Sequence, residues 1–223
     1  MSDHSVETAD KDFREDRWPA SLALLVCIGL YILLPASLTI RPGWLIPVIE
    51  IIPLITLSIT HRHRHPGEPM WTRTVTIAMI IVITLSNIWS VYFLVHHLLY
   101  STGQATVGRQ LIFNAVIIWT TNVIIFGLWF WELDRGGPGV RGTSGQSAPD
   151  FQFPQMENPK LAQANWRPRY LDYLYVSMTN SAAFSPTDAM PLTRRAKALM
   201  ALASLISIVT LLVVASRAIN ILK

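Results

Sequence analysis

Cysteine occurs once in 223 residues, and charged residues make up only 14% of the chain. The single Cys27 excludes a disulfide within the chain and a thiolate metal cluster. A soluble domain carries about 25% charge, so the shortage of charge argues against one. No stretch alternates apolar and polar residues in the period-two manner of a membrane strand, which argues against a β-barrel. The sequence also lacks a Gly-rich phosphate loop, a paired metal motif and a nucleophile with a nearby base. No enzyme activity and no cofactor or metal are therefore expected. Residues 1–20 are polar and no small-residue cleavage site follows, so no cleavable signal peptide is expected. No internal repeat supports an inverted-repeat transporter.

What is present is apolar and continuous: 51% of the chain is hydrophobic, in runs close to 20 residues long. A hydrocarbon core of about 30 Å demands runs of that length. The expected fold class is an all-α integral membrane protein with about five transmembrane helices. A polar tail (1–17) precedes a three-span bundle (18–110), with spans over 21–38, 44–59 and 75–98. The second of these carries Pro47, Glu50 and Pro53 and is barely long enough. A fourth span covers 111–131, and a Gly/Pro/Ser-rich loop runs over 135–168. A short helix is expected at 170–183, followed by a turn at 184–193. The last span covers 196–222.

Charge orients these spans. With the N-terminus inside, fourteen basic residues fall on the inner side and four outside, the split expected of N-in, C-out topology. The net charge of +4 thus reports topology rather than nucleic-acid binding. If residues 44–59 do not span, the count drops to four and the last span reverses.

The informative stretch is 172–193. A helix too short and polar to span is followed by small and polar residues, then by an uninterrupted span. That is the order of a re-entrant loop, whose irregular backbone survives at membrane depth only beside protein or water. Pro186 stops the helix. Ser185, Thr187 and Asp188 offer oxygens to water or to an ion. Asp172, Leu174, Tyr175, Ser177, Asp188, Pro191 and Thr193 match, without gaps, the pore module of the potassium-channel superfamily, which residues 111–222 resemble.

The resemblance implies an outer helix (111–131), a pore helix (170–183), a filter-like turn and an inner helix (196–222). It departs at the filter: Ala183, Phe184, Ser185, Pro186, Thr187 and Asp188 replace the family's glycine-containing run. Glycine supplies the backbone freedom that a ladder of carbonyls needs, and Pro186 forbids it. Strict potassium selectivity is therefore not expected. The whole chain is also similar to a family of uncharacterised five-span bacterial membrane proteins. They share the basic 2–3 loop, the Tyr-Leu-Tyr-x-Ser segment, the polar turn ending in Asp and the Arg-Arg start of the last span.

Other residues admit two readings each. Ala196, Met200, Ala203, Ser207, Thr210, Val214 and Arg217 share a face of the last span. Ala203, Ser207 and Thr210 either line an inner cavity or form a small-residue packing seam. Asn87, Ser90, Asn114, Thr121 and Asn122 suit interhelical hydrogen bonds. Glu50 at mid-span is an intramembrane ionisable site by default, or else pairs with His96 or His97. His61, His63 and His65 alternate with arginines, which favours a solvated loop over a metal site. Glu132 and Asp134 cap the fourth span or pair with Arg135. Asp188 forms an acidic mouth or pairs with Arg194 or Arg195.

The expectation is a tetrameric, pore-loop, cation-channel-like protein of the bacterial inner membrane. Its partners would be the lipid bilayer, inorganic cations and copies of itself. The alternatives are a non-conducting scaffold or accessory subunit, and a small ion-coupled transporter using Glu50.

Overall fold

The computed structural model describes residues 17–62, 70–100, 105–142, 145–158, 160, 162–163, 166–186 and 188–221. The chain is mostly helical. Helix α1 (Trp18–Leu33) begins with Pro19 in its first turn, where a missing N–H costs nothing. It stops earlier than the apolar run implies. Leu34 precedes Pro35 and is extended (φ −74°, ψ 141°), because the proline ring disfavours a helical residue before it. Helix α2 (Leu45–Arg62) runs through Pro47 and Pro53.

Helices α3 (Met70–Tyr100) and α4 (Ala105–Leu133) both extend beyond the runs that mark them in the sequence. A 3-10 turn (Asp134–Gly136), a two-residue strand β1 (Phe151–Gln152) and a short helix α5 (Pro154–Glu157) follow. Helix α6 (Tyr170–Ala183), strand β2 (Met190–Pro191) and helix α7 (Arg194–Ile221) complete the chain. Among the described residues, three segments are long and apolar enough to cross a bilayer: Trp71–Tyr100, Arg109–Gly136 and Arg194–Ser216. They mark the chain as a membrane protein. The apolar α1 has only 16 residues.

Helix α4 is the axis of the bundle and packs against α1, α3, α6 and α7. Of its apolar window 72% is buried, against 50% for α3 and 33% for α7. The last helix is therefore peripheral, with a free face that includes Leu205 and Leu212.

Three contacts align the helices. The Arg17 guanidinium stacks 5.6 Å from the Trp131 ring centre. Arg73 Nε lies 3.6 Å from Glu132 Oε1, and Trp129 Nε1 donates to Thr84 Oγ1 at 3.0 Å. The starts of α1 and α3 thus meet the end of α4, at what is called below the arginine end. Hydroxyls within the apolar helices satisfy themselves by donating one turn back. Thr76, Thr84, Thr121 and Thr210 bond the carbonyls of Thr72, Ile80, Ile117 and Ile206. Ser90 Oγ donates to the Leu38 carbonyl at 2.9 Å. This ties the irregular stretch after α1 to α3.

Gly127 sets the distance between α4 and α6. A Cβ there would lie 3.0 Å from Leu174 Cα and 3.2 Å from Leu174 Cδ1, and the backbone contact cannot yield. Gly127→Val is expected to cost about 1–3 kcal/mol of stability by overpacking, read as a lowered thermal midpoint in detergent. Adding Leu174→Ala removes the side-chain clash but not the Cα clash, so it should restore only part of the loss.

Candidate functional site

Helix α6 starts at the arginine end and runs back along α4. Tyr170 meets Trp131 edge-on at 6.0 Å between ring centres. Leu174 faces Gly127, and Ser177 Oγ donates to the Val123 carbonyl at 2.7 Å. One turn further, Asn180 Nδ2 donates to the Met200 carbonyl of α7 at 3.0 Å. The 14 residues of α6 therefore reach about 20 Å from the arginine end at 1.5 Å per residue. The chain then comes back: β2 pairs antiparallel with β1, Pro191 opposite Phe151, and α7 starts beside it. Residues 170–191 thus form a hairpin, packed against both α4 and α7 and closed at one end of the bundle.

Two buried carboxylates tie that end together. Asp134 is fully buried. Its Oδ1 accepts the Asp150 N–H at 2.7 Å and the Phe151 N–H at 3.2 Å. Its Oδ2 accepts the Tyr173 hydroxyl, and Arg135 Nε stands 3.7 Å away. Asp150 is also fully buried. It accepts Arg195 Nε and Nη2, each at 2.6 Å, and the Thr193 hydroxyl. Arg141 donates to the Trp131 carbonyl and lies 4.9 Å over the Tyr173 ring centre. Phe151 and Phe153 pack around the same tyrosine. The Gly/Pro-rich stretch is irregular, as its composition implies, yet it is an anchored cap rather than a free loop.

The turn of the hairpin is open. Ala183, Phe184, Ser185 and Pro186 are exposed in the single chain. Phe184 holds a left-handed backbone (φ 56°, ψ 26°) and its N–H donates to the Asn180 carbonyl at 2.9 Å. Such a conformation is uncommon for an aromatic residue. Thr187 lies outside the described residues, as do the tail 1–16, His63 and His65.

Asp188 is half-buried and, among the described residues, forms no ion pair, because Arg195 is held by Asp150. Its carboxylate acts on Asp172, which caps α6 by accepting the Arg169 N–H at 2.7 Å. Burial first, and Asp188 as a lesser cause, hold the Asp172 carboxyl above its ordinary range despite the opposing hydrogen bond and Arg169. The folded chain thus keeps that proton to higher pH than the unfolded chain. The associated stability is present at low pH and declines as pH rises through the raised value.

The small-residue face of the last helix, read either as a cavity lining or as a packing seam, meets α4. Ala203, Ser207 and Thr210 are fully buried within the chain. Asn122 Nδ2 donates to the Ala203 carbonyl at 3.1 Å and to Ser207 Oγ at 3.0 Å. This is the packing-seam arrangement. Of the polar residues expected to bridge helices, Asn122 does so, Ser90 ties α3 to the irregular stretch after α1, and Thr121 bonds its own helix. Glu50 is 2% exposed and lies apart from the hairpin, between α2, α1 and α3. His97 Nδ1 is 2.8 Å from the Phe93 carbonyl and His96 stacks on Tyr100, so neither pairs with Glu50.

Sequence reasoning named Arg135 as a partner of Asp134 but missed Asp150, Tyr173, Arg141 and the other partners of Asp134. Nothing local distinguishes Asp150 from a solvated loop acid, since its partners lie more than 40 residues away. Comparison with known proteins finds no matching family model, no matching curated protein and no matching solved structure.

Replacing Asp134 with Leu strands two buried amides, a phenol and an arginine. The expected cost is about 3–5 kcal/mol, against about 1–2 kcal/mol for Tyr173→Phe, which deletes a single charge-assisted bond. Chemical unfolding in detergent, followed by tryptophan fluorescence, measures both. Equal costs would mean that Asp134 is no hub.

Proposed function

We propose that the chain is one subunit of a cation-conducting, pore-loop membrane protein. It would be a tetramer in a bacterial inner membrane, with five spans and the N-terminus inside. The observation that carries this reading is the hairpin. A helix inserts beside α4, turns about 20 Å away by helix rise, and returns to the end it left, directly before the last span. In the order of the chain this is outer helix, short helix, turn and inner helix.

The five-span count gains support from the arginine end. Arg17 and Arg73 both meet the last turns of α4, so α1 and α2 together carry the chain across the bundle and back. The concentration of basic residues at that end favours the inner side. The loop would then enter from within.

The turn residues Ala183, Phe184, Ser185 and Pro186, with Thr187 and Asp188, would form the constriction. Ala183, Phe184, Ser185 and Pro186 are exposed in the single chain, and at that depth their backbone requires water or a neighbouring subunit. The free apolar residues Leu171, Tyr175 and Met178 on α6 supply a face on which a second copy packs. Asp188, with Asp172 near it, makes the entrance acidic and favours cations. Pro186 and the absence of glycine argue against strict potassium selectivity.

A non-conducting scaffold is the second reading. It is favoured by the buried Ala203, Ser207 and Thr210, which leave the free face of α7 without that polar lining.

The test is bilayer recording from purified protein in asymmetric potassium and sodium salts. Discrete cation currents are expected. Asp188→Asn should lower the conductance at low salt, and the difference should shrink as salt rises, because the Debye length falls to about 10 Å at 0.1 M. Silence from a folded tetramer selects the scaffold. A strict monomer in lipid overturns the pore.

A further inference from the structure

Away from the hairpin, α1, α2, α3 and α4 enclose a cavity of about 10 Å³, close to the least space that holds one water. Its lining is mostly apolar surface, broken by several polar side chains. Glu50, Ser86 and Asn87 contribute, together with Cys27, Tyr31 and Thr121. Glu50 and Ser86 are each 2% exposed and Asn87 is 5% exposed. Among the described residues, the Ser86 hydroxyl is buried with no hydrogen-bond partner, and the Glu50 carboxyl and the Asn87 amide form no hydrogen bond or ion pair. Three buried polar side chains without partners, gathered on one small cavity, are costly unless something else fills it. Counting residues from Arg17 to Cys27 and from Arg73 to Asn87, the cavity lies about 15–20 Å from the arginine end by helix rise.

We propose that this cavity binds a single dehydrated alkali cation of the sodium class, held by the Glu50 carboxylate and by oxygens of Ser86 and Asn87. The donors are hard oxygens, which suit such ions. One carboxylate balances one positive charge. A divalent ion would leave a net charge in hydrocarbon, and an anion would be repelled. A proton on Glu50 would neutralise the carboxylate but leave Ser86 and Asn87 unsatisfied. The Thr121 hydroxyl donates to Ile117, and the Tyr31 hydroxyl accepts the Ile40 N–H at 2.9 Å. Both therefore stay fixed at the wall. The neutral Cys27 thiol is a poor ligand for a hard cation and acts as apolar wall. The proposal does not depend on a pore through the hairpin.

The experiment is thermal unfolding of the full-length protein in lipid nanodiscs, in sodium, potassium or choline chloride at constant ionic strength. Sodium should raise the midpoint by a few degrees per tenfold increase above its dissociation constant, as expected for a ligand of the folded state. Choline should not. Glu50→Gln should abolish the response, and Asn87→Ala should shift it to higher sodium.

If Glu50→Gln does not fold, the wild-type chain supplies a second readout. Cys27 is the only thiol and is buried on the same cavity. Its alkylation by N-ethylmaleimide should be slowed by sodium relative to choline. Equal midpoints and equal alkylation rates in the two salts would overturn the proposal. So would a sodium response that survives in Glu50→Gln, or a midpoint that follows pH but not sodium, which would assign a proton and a water to the cavity. None of these readouts requires conduction. A silent bilayer therefore leaves this site standing, and a missing sodium effect leaves the pore reading standing.

Discussion

The structure depends on the burial of Asp134 at the end of α4. A carboxylate removed from water is tolerated only when its lone pairs are occupied. Here two backbone amides, a phenol and an arginine occupy them. Each partner comes from a segment with a separate reason to be elsewhere. The amides belong to the start of β1, the phenol to α6, and the arginine to the turn that follows α4. Satisfying one charge therefore fixes where the cap, the short helix and the bundle meet. Asp150 repeats the device one step further on, by taking Arg195 and Thr193. Through these two acids the start of α7 is set by the end of α4, although 60 residues of chain separate Asp134 from Arg194.

Within the apolar part of the bundle the forces differ. Lipid is as apolar as leucine, so hydrophobic burial does not drive helix against helix there. Close approach and a few directed polar bonds take its place. Gly127 lets α6 approach α4 at its own Cα. Asn122, Ser177 and Asn180 then each spend a side-chain donor on a carbonyl of another helix. The bonds of Ser177 and Asn180 lie at successive depths along α6, so sliding it by one turn would break both, while Asn122 fixes α4 against α7. The register of the hairpin is over-determined at its base and along its stem. Only the turn lacks such support.

What the sequence made legible follows the same division. Helices announced themselves wherever a long apolar run had to satisfy its own backbone, and α6 covers the residues read as a short helix. The boundaries of α1, α3 and α4 were misjudged. Hydropathy sees the membrane, whereas the backbone continues into the polar margins or stops at a proline such as Pro35. Ala203, Ser207 and Thr210 were seen to share a face, because helical period is local. Which neighbour that face meets is not local, and it meets Asn122. Asp150 and Tyr173 were invisible for the same reason, since their importance lies in partners distant along the chain. Glu50 was legible because a carboxylate within an apolar run needs no partner to be conspicuous. Its companions Ser86 and Asn87 became apparent only when four helices closed around one cavity.

The contrast between the two ends of the hairpin has a mechanical consequence. Its base is held by buried charges in a network with little slack. Its turn holds an aromatic residue in a left-handed backbone, with a proline two residues on, and residues 183–186 are exposed. Strain of this kind costs of order 1–3 kcal/mol and persists where the surroundings over-determine it. Among the described residues, the one backbone hydrogen bond at Phe184 is its N–H donation to the Asn180 carbonyl. Residues 184–186 are thus presented outward, on a rigid stem, in a shape that one protomer does little to enforce. A neighbouring copy that covers Leu171, Tyr175 and Met178 would meet the turn as well. In that assembly, contacts between chains would decide whether the turn encloses a water-filled path or packs shut. On the proposed reading the stem would supply position and the environment of the turn would decide between pore and scaffold. The pore and scaffold readings share one fold and differ only at the tip.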